Sequence, residues 1–428
     1  MSSIRCVSQK YLSRIADKKM DTALRTSGAV LIEGPKWCGK TRTAAEWAAS
    51  TIYLQDIRKR KEYLQAAEIA PDILLKGDPP RLIDEWQTIP LLWDGVRFEV
   101  DQRGKPGQFI LTGSAVPLDN ATIHTGTGRF SRILLRPMTL FESLESNGEI
   151  SLASLFNGDE IGGRSPLSVE KLAFALVRGG WPAAVIEGGT SSFQHVREYV
   201  DMVINADISR VDGVEKNPKR VRRLMRSLAR NTSTMAGMKT IVDDIAGDEA
   251  DGQISDTTIA SYMNALRRIF VIEEQPAWGP SIRSKIAQRT SPKLHFVDPS
   301  IATAVLKISP EGLLRDFTTF GLFFESLCIR DLRVYAQALD GEVYHYRDGS
   351  DLEVDAIVSL YDGRWGAAEI KMGANKIDEA AECLIKFKNK VNTEKMGEPS
   401  FLMVLTATEF GYRRSDGVYV VPIGCLKD

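Results

Sequence analysis

The feature that most constrains this chain is a glycine-bounded loop between a short apolar run and a helix-forming segment. Its residues are Gly34, Pro35, Lys36, Trp37, Cys38, Gly39, Lys40 and Thr41. The apolar, partly β-branched residues 29–32 predict a buried strand before the loop, and residues 43–49 predict a helix after it. Strand, loop and helix in this order predict a phosphate-binding loop, in which backbone N–H groups and the helix amino end hold a phosphate.

The side chains of this loop indicate ATP and Mg²⁺ as its ligands. Lys40 can reach the β- and γ-phosphate oxygens, and the Thr41 hydroxyl can hold Mg²⁺. The whole loop and the adjoining Arg42 are therefore candidate nucleotide-binding residues. A chance glycine turn ahead of a helix is the alternative, and the complete Gly-Lys-Thr ending after a strand argues against it.

Two carboxylates follow a second apolar run. Residues 81–83 predict a strand that leads into Asp84 and Glu85. In P-loop enzymes an acid at this place orients the Mg²⁺ shell and a neighbouring glutamate polarises the attacking water. We assign Asp84 to the metal and Glu85 to the water. By itself such a pair is more often a turn or a helix cap, and the loop upstream favours the functional interpretation.

A third predicted strand, residues 108–115, ends in small hydroxyl residues. Ser114, or with less support Thr112, is a candidate sensor of the γ-phosphate, although a plain glycine turn explains the same residues equally well. Downstream, Arg129 and Arg132 are candidates for stabilising transition-state charge, with Arg129 preferred. Either arginine also fits a surface ion pair.

The order of these motifs resembles the AAA-type module of a prokaryotic ATPase family whose members carry a conserved carboxy-terminal domain of unknown function. The similar segments are GPKWCGKT (34–41), RLIDEWQ (81–87), FILTGSA (109–115) and GRFSRILLRPMTLFES (128–143). The last contains a match to the family's L-R-P-L-S-F-x-E element. The resemblance implies an AAA-type ATPase core, and such cores often place one subunit's arginine at a neighbour's γ-phosphate. We therefore expect an ATP-dependent homo-oligomer with Arg129 in that role.

The middle of the chain predicts helices followed by a strand. Gly179 and Gly180 end a helix, and the resemblance assigns this stretch to a lid after the ATPase core. Helices are predicted over 216–230, 240–246 and 255–266, and the Ser255 hydroxyl at the start of the last one suits an N-cap. With a strand predicted over 270–275, they have the order of a winged helix, a frequent DNA-binding module. A helical packing domain that touches no nucleic acid is the alternative.

Basic residues favour contact with DNA or RNA in this region, whereas a net charge of −1 for the whole chain limits that expectation. The residues are Lys216, Lys219, Arg220, Arg222, Arg223, Arg226, Arg230, Arg267, Arg268, Arg283, Lys285 and Arg289.

Near the carboxyl end, Asp355 followed by Glu369-x-Lys371 resembles the PD-(D/E)xK pattern of restriction-endonuclease-like folds. We predict that Asp355 ends one strand of a hairpin and that Glu369 and Lys371, two apart on the other strand, share one face. Two carboxylates would then hold Mg²⁺ while the lysine activates water. Glu325, on a predicted amphipathic helix over 321–338, is a candidate third carboxylate.

Two alternatives stay open for this carboxylate motif. A Glu-x-Lys on an edge strand is usually a solvated ion pair, but Glu369 follows small and apolar residues, where charge is costly unless it is used. A nuclease-like fold can also bind without cutting. Cleavage and an inert scaffold are therefore both consistent with the sequence.

A chain of 428 residues with 43% apolar residues predicts two or three α/β domains with proper cores. We predict an AAA-type P-loop NTPase core with a parallel sheet over 1–150 and a helical lid or connector over 151–205. A winged-helix-like region over 206–300 and a nuclease-like α/β domain over 301–428 follow.

Composition and segment lengths indicate a cytoplasmic protein with no membrane partner. No apolar run reaches the roughly 18 residues of a membrane span, and five scattered cysteines indicate reduced thiols. The leading hypothesis is an ATPase that acts on DNA or RNA through its later domains. The alternative is an ATP-driven switch that binds other proteins and has an inert carboxy-terminal domain.

Overall fold

The structure is a computed structural model that describes residues 11–114, 128–211, 213–246, 255–280 and 290–428. Arg283, Lys285, Arg289 and the end of the third predicted strand at Ala115 lie outside these residues. The described chain forms two compact units. The first contains residues 11–33, 39–113 and 128–134, and the second contains residues 34–38, residue 114 and the chain from residue 135 onward.

The first unit is built on a five-stranded parallel sheet with the order β2-β3-β4-β1-β5. Its strands are β1 (Ala29–Glu33), β2 (Ser50–Tyr53), β3 (Arg81–Asp84), β4 (Phe109–Gly113) and β5 (Phe130–Leu134). The predicted strands at 29–32, 81–83 and 108–115 are confirmed with small shifts at their ends. Because the strands are parallel, the loops that follow β1 and β3 leave the same edge of the sheet.

The α-helices among the described residues of the first unit are α1 (Ala16–Thr26), α2 (Lys40–Trp47), α3 (Arg60–Ile69), α4 (Asp72–Leu75) and α5 (Leu91–Arg103). Its core includes Trp93, whose ring stacks on Phe130 at a centroid distance of 4.1 Å. Helix α2 begins at Lys40, three residues before the predicted start at residue 43. The phosphate loop therefore passes directly into the helix.

The first elements of the second unit are short strands and a run of helices. These are β6 (Ile150–Ser151), α6 (Leu152–Asn157), β7 (Gly163–Arg164), α7 (Val169–Arg178), α8 (Pro182–Glu187), α9 (Phe193–Met202), a π-helical turn (Val203–Asp207), α10 (Ile208–Arg210), α11 (Pro218–Arg230), α12 (Met238–Ala246) and α13 (Asp256–Arg268). The Ser255 side chain accepts a hydrogen bond from the Thr258 N–H, which caps α13 at the predicted residue.

A two-stranded antiparallel sheet follows these helices. It consists of β8 (Ile272–Gln275) and β9 (Lys293–Phe296), with Gln275 opposite Lys293. Strand β8 starts two residues later than predicted, since Phe270 has a φ of +58° that does not suit a strand. The described order is thus three helices and a β-ribbon.

The rest of the second unit contains a mixed seven-stranded sheet, flanking helices and a last short strand, β16, which pairs in parallel with β6. Its elements are α14 (Ser300–Leu306), α15 (Pro310–Arg315), α16 (Phe317–Ala338), β10 (Gly341–Arg347), β11 (Glu353–Leu360), β12 (Trp365–Lys371), α17 (Ile377–Lys390), α18 (Thr393–Met396), β13 (Leu402–Thr406), β14 (Phe410–Arg413), β15 (Tyr419–Pro422) and β16 (Leu426–Lys427). The strand order is β10-β11-β12-β13-β15-β14-β7, so β7 from early in the unit completes the sheet edge.

Helix α16 differs from its prediction. The sequence predicted an amphipathic helix, but most of α16 is buried, including charged residues. Arg330 pairs with Asp298 at 2.8 Å and with Asp331 at 2.6 Å, so the buried charges are compensated inside the unit. No helix within the described residues is long and apolar enough to cross a membrane.

Candidate functional site

The phosphate loop has the backbone that its sequence predicts. Gly39 has a φ of +103°, in the left-handed region where glycine alone is unstrained. Its carbonyl accepts the Thr43 N–H at 2.9 Å, within the first turn of α2. Gly34 has a φ of +149°, and a side chain there would place its Cβ 2.2 Å from the Leu135 carbonyl oxygen. Both bounding glycines are therefore required by geometry.

Two of the predicted metal-site residues are in contact in the first unit. The Thr41 hydroxyl at the start of α2 donates to Asp84 Oδ1 at 2.7 Å, and Asp84 ends β3 fully buried. A hydroxyl and a carboxylate are oxygen ligands of the kind that Mg²⁺ prefers. Lys40, one residue before Thr41, is only 5% exposed. The residues present therefore fit a magnesium–nucleotide complex.

Two further side chains hold Asp84, and the sequence analysis did not assign them to it. Thr112 Oγ1 donates to Asp84 Oδ1 at 2.7 Å, and Gln55 Nε2 donates to Asp84 Oδ2 at 3.2 Å. Thr112 was considered only as a weak γ-phosphate sensor, whereas its hydroxyl serves the acidic pair. Gln55 lies two residues beyond Tyr53, the partner of Asp84 in the parallel register, and that neighbour relation is visible only in the sheet.

Glu85 is held in an unusual conformation. Its φ of +55° is left-handed, which is uncommon for a residue with a side chain. Its N–H donates to Thr112 Oγ1 at 3.1 Å, and its carboxylate accepts a hydrogen bond from the Gln87 side chain. Strained residues of this kind concentrate at functional sites. The role of Glu85 in polarising water stays a prediction.

Residues 34–38, the first half of the phosphate loop, belong to the second unit. Three of their side chains contact other residues of that unit. Lys36 Nζ pairs with Asp207 Oδ1 at 2.6 Å, and the Trp37 ring lies 5.9 Å from that of Tyr199. Cys38 Sγ donates to the Leu135 carbonyl at 3.2 Å. These three predicted nucleotide-binding residues thus have protein contacts for their side chains, and their binding to a nucleotide stays a prediction.

The remaining candidates of the nucleotide site are less central. Arg42 pairs with Glu46 at 2.7 Å along α2, and Ser114 is buried after β4. Arg129 forms an ion pair with Asp101 at 2.9 Å, and its side chain is 43% exposed. That is the surface pairing considered as the alternative, so the role of Arg129 in a neighbouring subunit stays a prediction.

In the carboxy-terminal sheet, the structure brings the four predicted residues into one cluster. Lys371 Nζ lies 3.0 Å from Asp355 Oδ2 and 2.6 Å from Glu369 Oε2. Asp355 also accepts the Ile370 N–H at 2.9 Å. The predicted place of Asp355 at a strand end is wrong: it lies near the start of β11, which runs antiparallel to β12. Side chains near the start of β11 and the end of β12 therefore meet.

A second lysine in this cluster was not predicted. Lys293 of β9 is 2% exposed, and its Nζ lies 2.8 Å from Glu353, 3.0 Å from Glu325 and 3.6 Å from Asp355. The sequence carries no signal for it, because Lys293 is a single basic residue 32 positions before its nearest partner in the chain. Glu325 is thus joined to the cluster through Lys293.

The charges of this cluster are strongly coupled. Burial, with repulsion from Asp355, raises the pKa of Glu325 and of Glu369 to about 8, although the nearby lysines oppose the shift. Asp355 is also buried, but Lys371 and Lys293 outweigh that effect and lower its pKa. The coupling therefore favours the protonated form of the two glutamates and the ionised form of Asp355.

Comparison with known proteins divides the chain into three matching segments. Residues 26–144 match the AAA domain family, residues 169–312 match the domain of unknown function DUF8612, and residues 320–426 match the domain of unknown function DUF4143. The first match lies on the parallel sheet and the phosphate loop. The first segment is thus similar to AAA domains over the part of the chain that carries the phosphate-binding loop.

Two relatives that match more of the chain are both named uncharacterized proteins. One protein of Mycobacterium bovis and one of Mycobacterium tuberculosis are each 24% identical over 364 residues, covering 84% of this chain and 73% of theirs. A Walker-type ATPase of Pyrococcus abyssi aligns in structure over 69% of this chain and 96% of its own, with 14% identity and a TM-score of 0.43.

Proposed function

We propose that this protein hydrolyses ATP with Mg²⁺ at its phosphate loop. The observation that carries the proposal is the contact between the Thr41 hydroxyl and the buried Asp84 carboxylate at 2.7 Å. Thr41 follows the loop lysine, and Asp84 ends β3. In P-loop enzymes, a hydroxyl and an acid at these two places hold magnesium. The AAA domain match over residues 26–144 supports the same assignment.

Each residue has a distinct task in this proposal. The loop backbone and Lys40 bind the β- and γ-phosphates, and Thr41 with Asp84 would hold Mg²⁺, which neutralises phosphate charge when bound. Thr112 and Gln55 orient Asp84 through hydrogen bonds. Glu85 accepts a proton from the attacking water or orients it, since its carboxylate follows the metal-binding acid directly.

The test separates binding from turnover. Lys40→Ala should abolish ATP binding or hydrolysis, because the phosphates lose their cation. Glu85→Gln should retain binding and stop hydrolysis, since the amide cannot take a proton. Lys76→Ala is the matched control, because Lys76 is an exposed lysine of the same unit paired with Asp72. Undiminished turnover in the Lys40→Ala protein would refute the assignment.

A second candidate function is contact with nucleic acid through the middle of the second unit. Three helices and the β8–β9 ribbon have the element order of a winged helix, the predicted module. Helix α13 exposes Thr257, Ser261 and Asn264 along one side, and uncharged polar side chains of this kind suit base edges. The winged-helix identity and the contact itself remain part of this proposal.

The basic face of α11 is smaller than its sequence indicates. Lys216 is buried, and its Nζ donates to the Val214 carbonyl, so it belongs to the interior. Arg222 pairs with Asp201 at 3.0 Å, and Arg230 pairs with Asp244 at 3.1 Å. Fewer cations are therefore available for phosphates than the sequence predicted, which weakens the expected affinity.

A gel-shift series across salt concentration tests nucleic-acid contact. Binding through phosphates should weaken steeply with salt, and Arg226→Glu on α11 should weaken it for all sequences. Asn264→Ala should instead change the preference between sequences. If neither DNA nor RNA shifts at low salt, the ATP-driven switch with protein partners becomes the better account.

A further inference from the structure

The carboxy-terminal cluster already contains its own cations. Lys371 Nζ contacts Asp355 Oδ2 and Glu369 Oε2, while Lys293 Nζ lies 3.6 Å from Asp355 Oδ1. Glu369 Oε1 lies 3.7 Å from Cys383 Sγ. Each oxygen of the two predicted metal ligands therefore faces a lysine ammonium or a thiol. A metal ion needs these oxygens as open electron-pair donors.

Lys293 is held in this position by the strand that carries it. Opposite it on β8, Gln275 donates from Nε2 to the carbonyl of Asp355 at 2.8 Å and to that of Tyr344 at 3.0 Å. His295, two residues further along β9, contacts Gln275 Oε1 through Nε2 at 2.9 Å. This network fixes the strand that carries Lys293, while the ammonium itself is buried and held by Glu353 at 2.8 Å and by Glu325 at 3.0 Å.

Two ammonium groups already lie among the carboxylates of the cluster. Lys293 Nζ is 2.8 Å from Glu353 Oε1 and 3.0 Å from Glu325 Oε1, and Lys371 Nζ is 2.6 Å from Glu369 Oε2. A divalent ion would have to lie beside these ammonium groups, which repel it. Within the described residues, no group of three or more His, Cys, Asp or Glu side chains is placed to hold a metal ion.

We propose that Lys293 takes the place of a metal ion in this centre, so that the carboxy-terminal domain works without a divalent cation and does not cut phosphodiester bonds. Lys293 lies in the segment that matches DUF8612, whereas its partners Glu325, Glu353 and Asp355 lie in the segment that matches DUF4143. The cation is thus supplied by the neighbouring segment and ties β9 to α16 and β11. This inference is independent of ATP hydrolysis in the first unit.

The test measures Mn²⁺ binding by the full chain without nucleotide, and electron paramagnetic resonance reports the concentration of free Mn²⁺. The wild type and its Asp355→Asn variant should bind the same amount of Mn²⁺. Lys293→Met keeps the length of the side chain and removes its charge, so it should gain one site at least about tenfold tighter than any in the wild type. Asp355→Asn in the Lys293→Met background should remove that site.

The control variant is Lys376→Met, since Lys376 is an exposed lysine of the same sheet region whose ion pair with Glu379 is also exposed. It should bind Mn²⁺ as the wild type does. Lys293→Gln, which keeps hydrogen-bond donors, is measured as well, and near-ultraviolet circular dichroism reports whether each variant is folded. ATP binding by the first unit should be unchanged in both Lys293 variants.

Three results would overturn the proposal. The first is an Asp355-dependent Mn²⁺ site in the wild type, a measurement that needs no Lys293 variant to fold. The second is a folded Lys293→Met or Lys293→Gln protein that gains no Mn²⁺ binding. The third is wild-type cleavage of DNA or RNA with Mg²⁺ or Mn²⁺ that Glu369→Gln abolishes, which would establish the metal-dependent nuclease that the sequence motif predicts.

Discussion

Replacing Thr112 by valine tests how the acidic pair of the ATPase site is held. The Thr112 hydroxyl is fully buried, donates to Asp84 at 2.7 Å and accepts the Glu85 N–H at 3.1 Å. Valine has nearly the same shape, so the substitution removes the hydroxyl and little else. It takes one hydrogen bond from Asp84, which retains those from Thr41 and Gln55, and removes one acceptor from the Glu85 N–H.

The size of the effect follows from these two contacts. A buried polar group that loses its partner costs about 1–3 kcal/mol, so we expect the first unit to lose about that much stability. If about 1.4 kcal/mol of this loss appears in the transition state through a misplaced Glu85, turnover falls about tenfold. ATP affinity should change less, because Lys40 and the loop backbone are unaltered.

Steady-state ATP hydrolysis, titration with a fluorescent ATP analogue and urea unfolding measure the three quantities. Thr112→Ser keeps the hydroxyl and loses only a methyl group, so it should retain most of the turnover. Wild-type turnover in Thr112→Val would show that the hydroxyl does not position the acidic pair. Equal losses in the valine and serine variants would instead assign the effect to packing.

Two further predictions concern assembly and pH. Light scattering should show that ATP promotes self-association. Arg129→Ala should reduce turnover more than it reduces ATP affinity. If turnover per subunit does not depend on protein concentration, the ATPase site is not shared between subunits. Burial, with the charge of Lys293, lowers the pKa of His345 from 6.5 to about 4, so the stability from keeping it neutral is complete above pH 6.5 and is lost as the pH falls to 4. Hydrogen exchange of the β10 amides measures the free energy of unfolding at each pH. Between pH 6.5 and 4, this free energy should fall more steeply in the wild type than in His345→Gln, by at most about 1.4 kcal/mol per pH unit. The same dependence of this free energy on pH in both proteins would contradict the prediction.

The phosphate loop and its strands were predictable because their signals are local. Gly34, Gly39, Lys40 and Thr41 lie within one short segment, and an apolar run of four residues suffices to predict β1. The helix-cap residue Ser255 was predicted for the same reason. Such features depend on backbone conformation and on side chains a few positions away, which a single sequence displays directly.

Features that depend on sheet pairing were not predictable. Gln55 reaches Asp84 only because β2 and β3 are parallel neighbours, and β7 joins the carboxy-terminal sheet from more than 240 residues away in the chain. The placement of Asp355 at a strand end failed for a related reason. The sequence shows the period of a strand but not where the hairpin register begins.

The two carboxylate centres of this chain differ in the kind of donor that surrounds them, and that difference decides what each can bind. Asp84 is held by the hydroxyls of Thr41 and Thr112 and by the Gln55 amide, which orient it without adding charge. Asp355 is held by two lysines, which orient it and neutralise it. Neutral donors leave the negative charge of a buried carboxylate in place, so that it still attracts a cation. Ammonium donors from the chain itself neutralise that charge. In this chain the acidic motif that keeps uncharged donors is the one we assign to magnesium, and the donors that distinguish the two centres come from parts of the chain that the motifs do not contain.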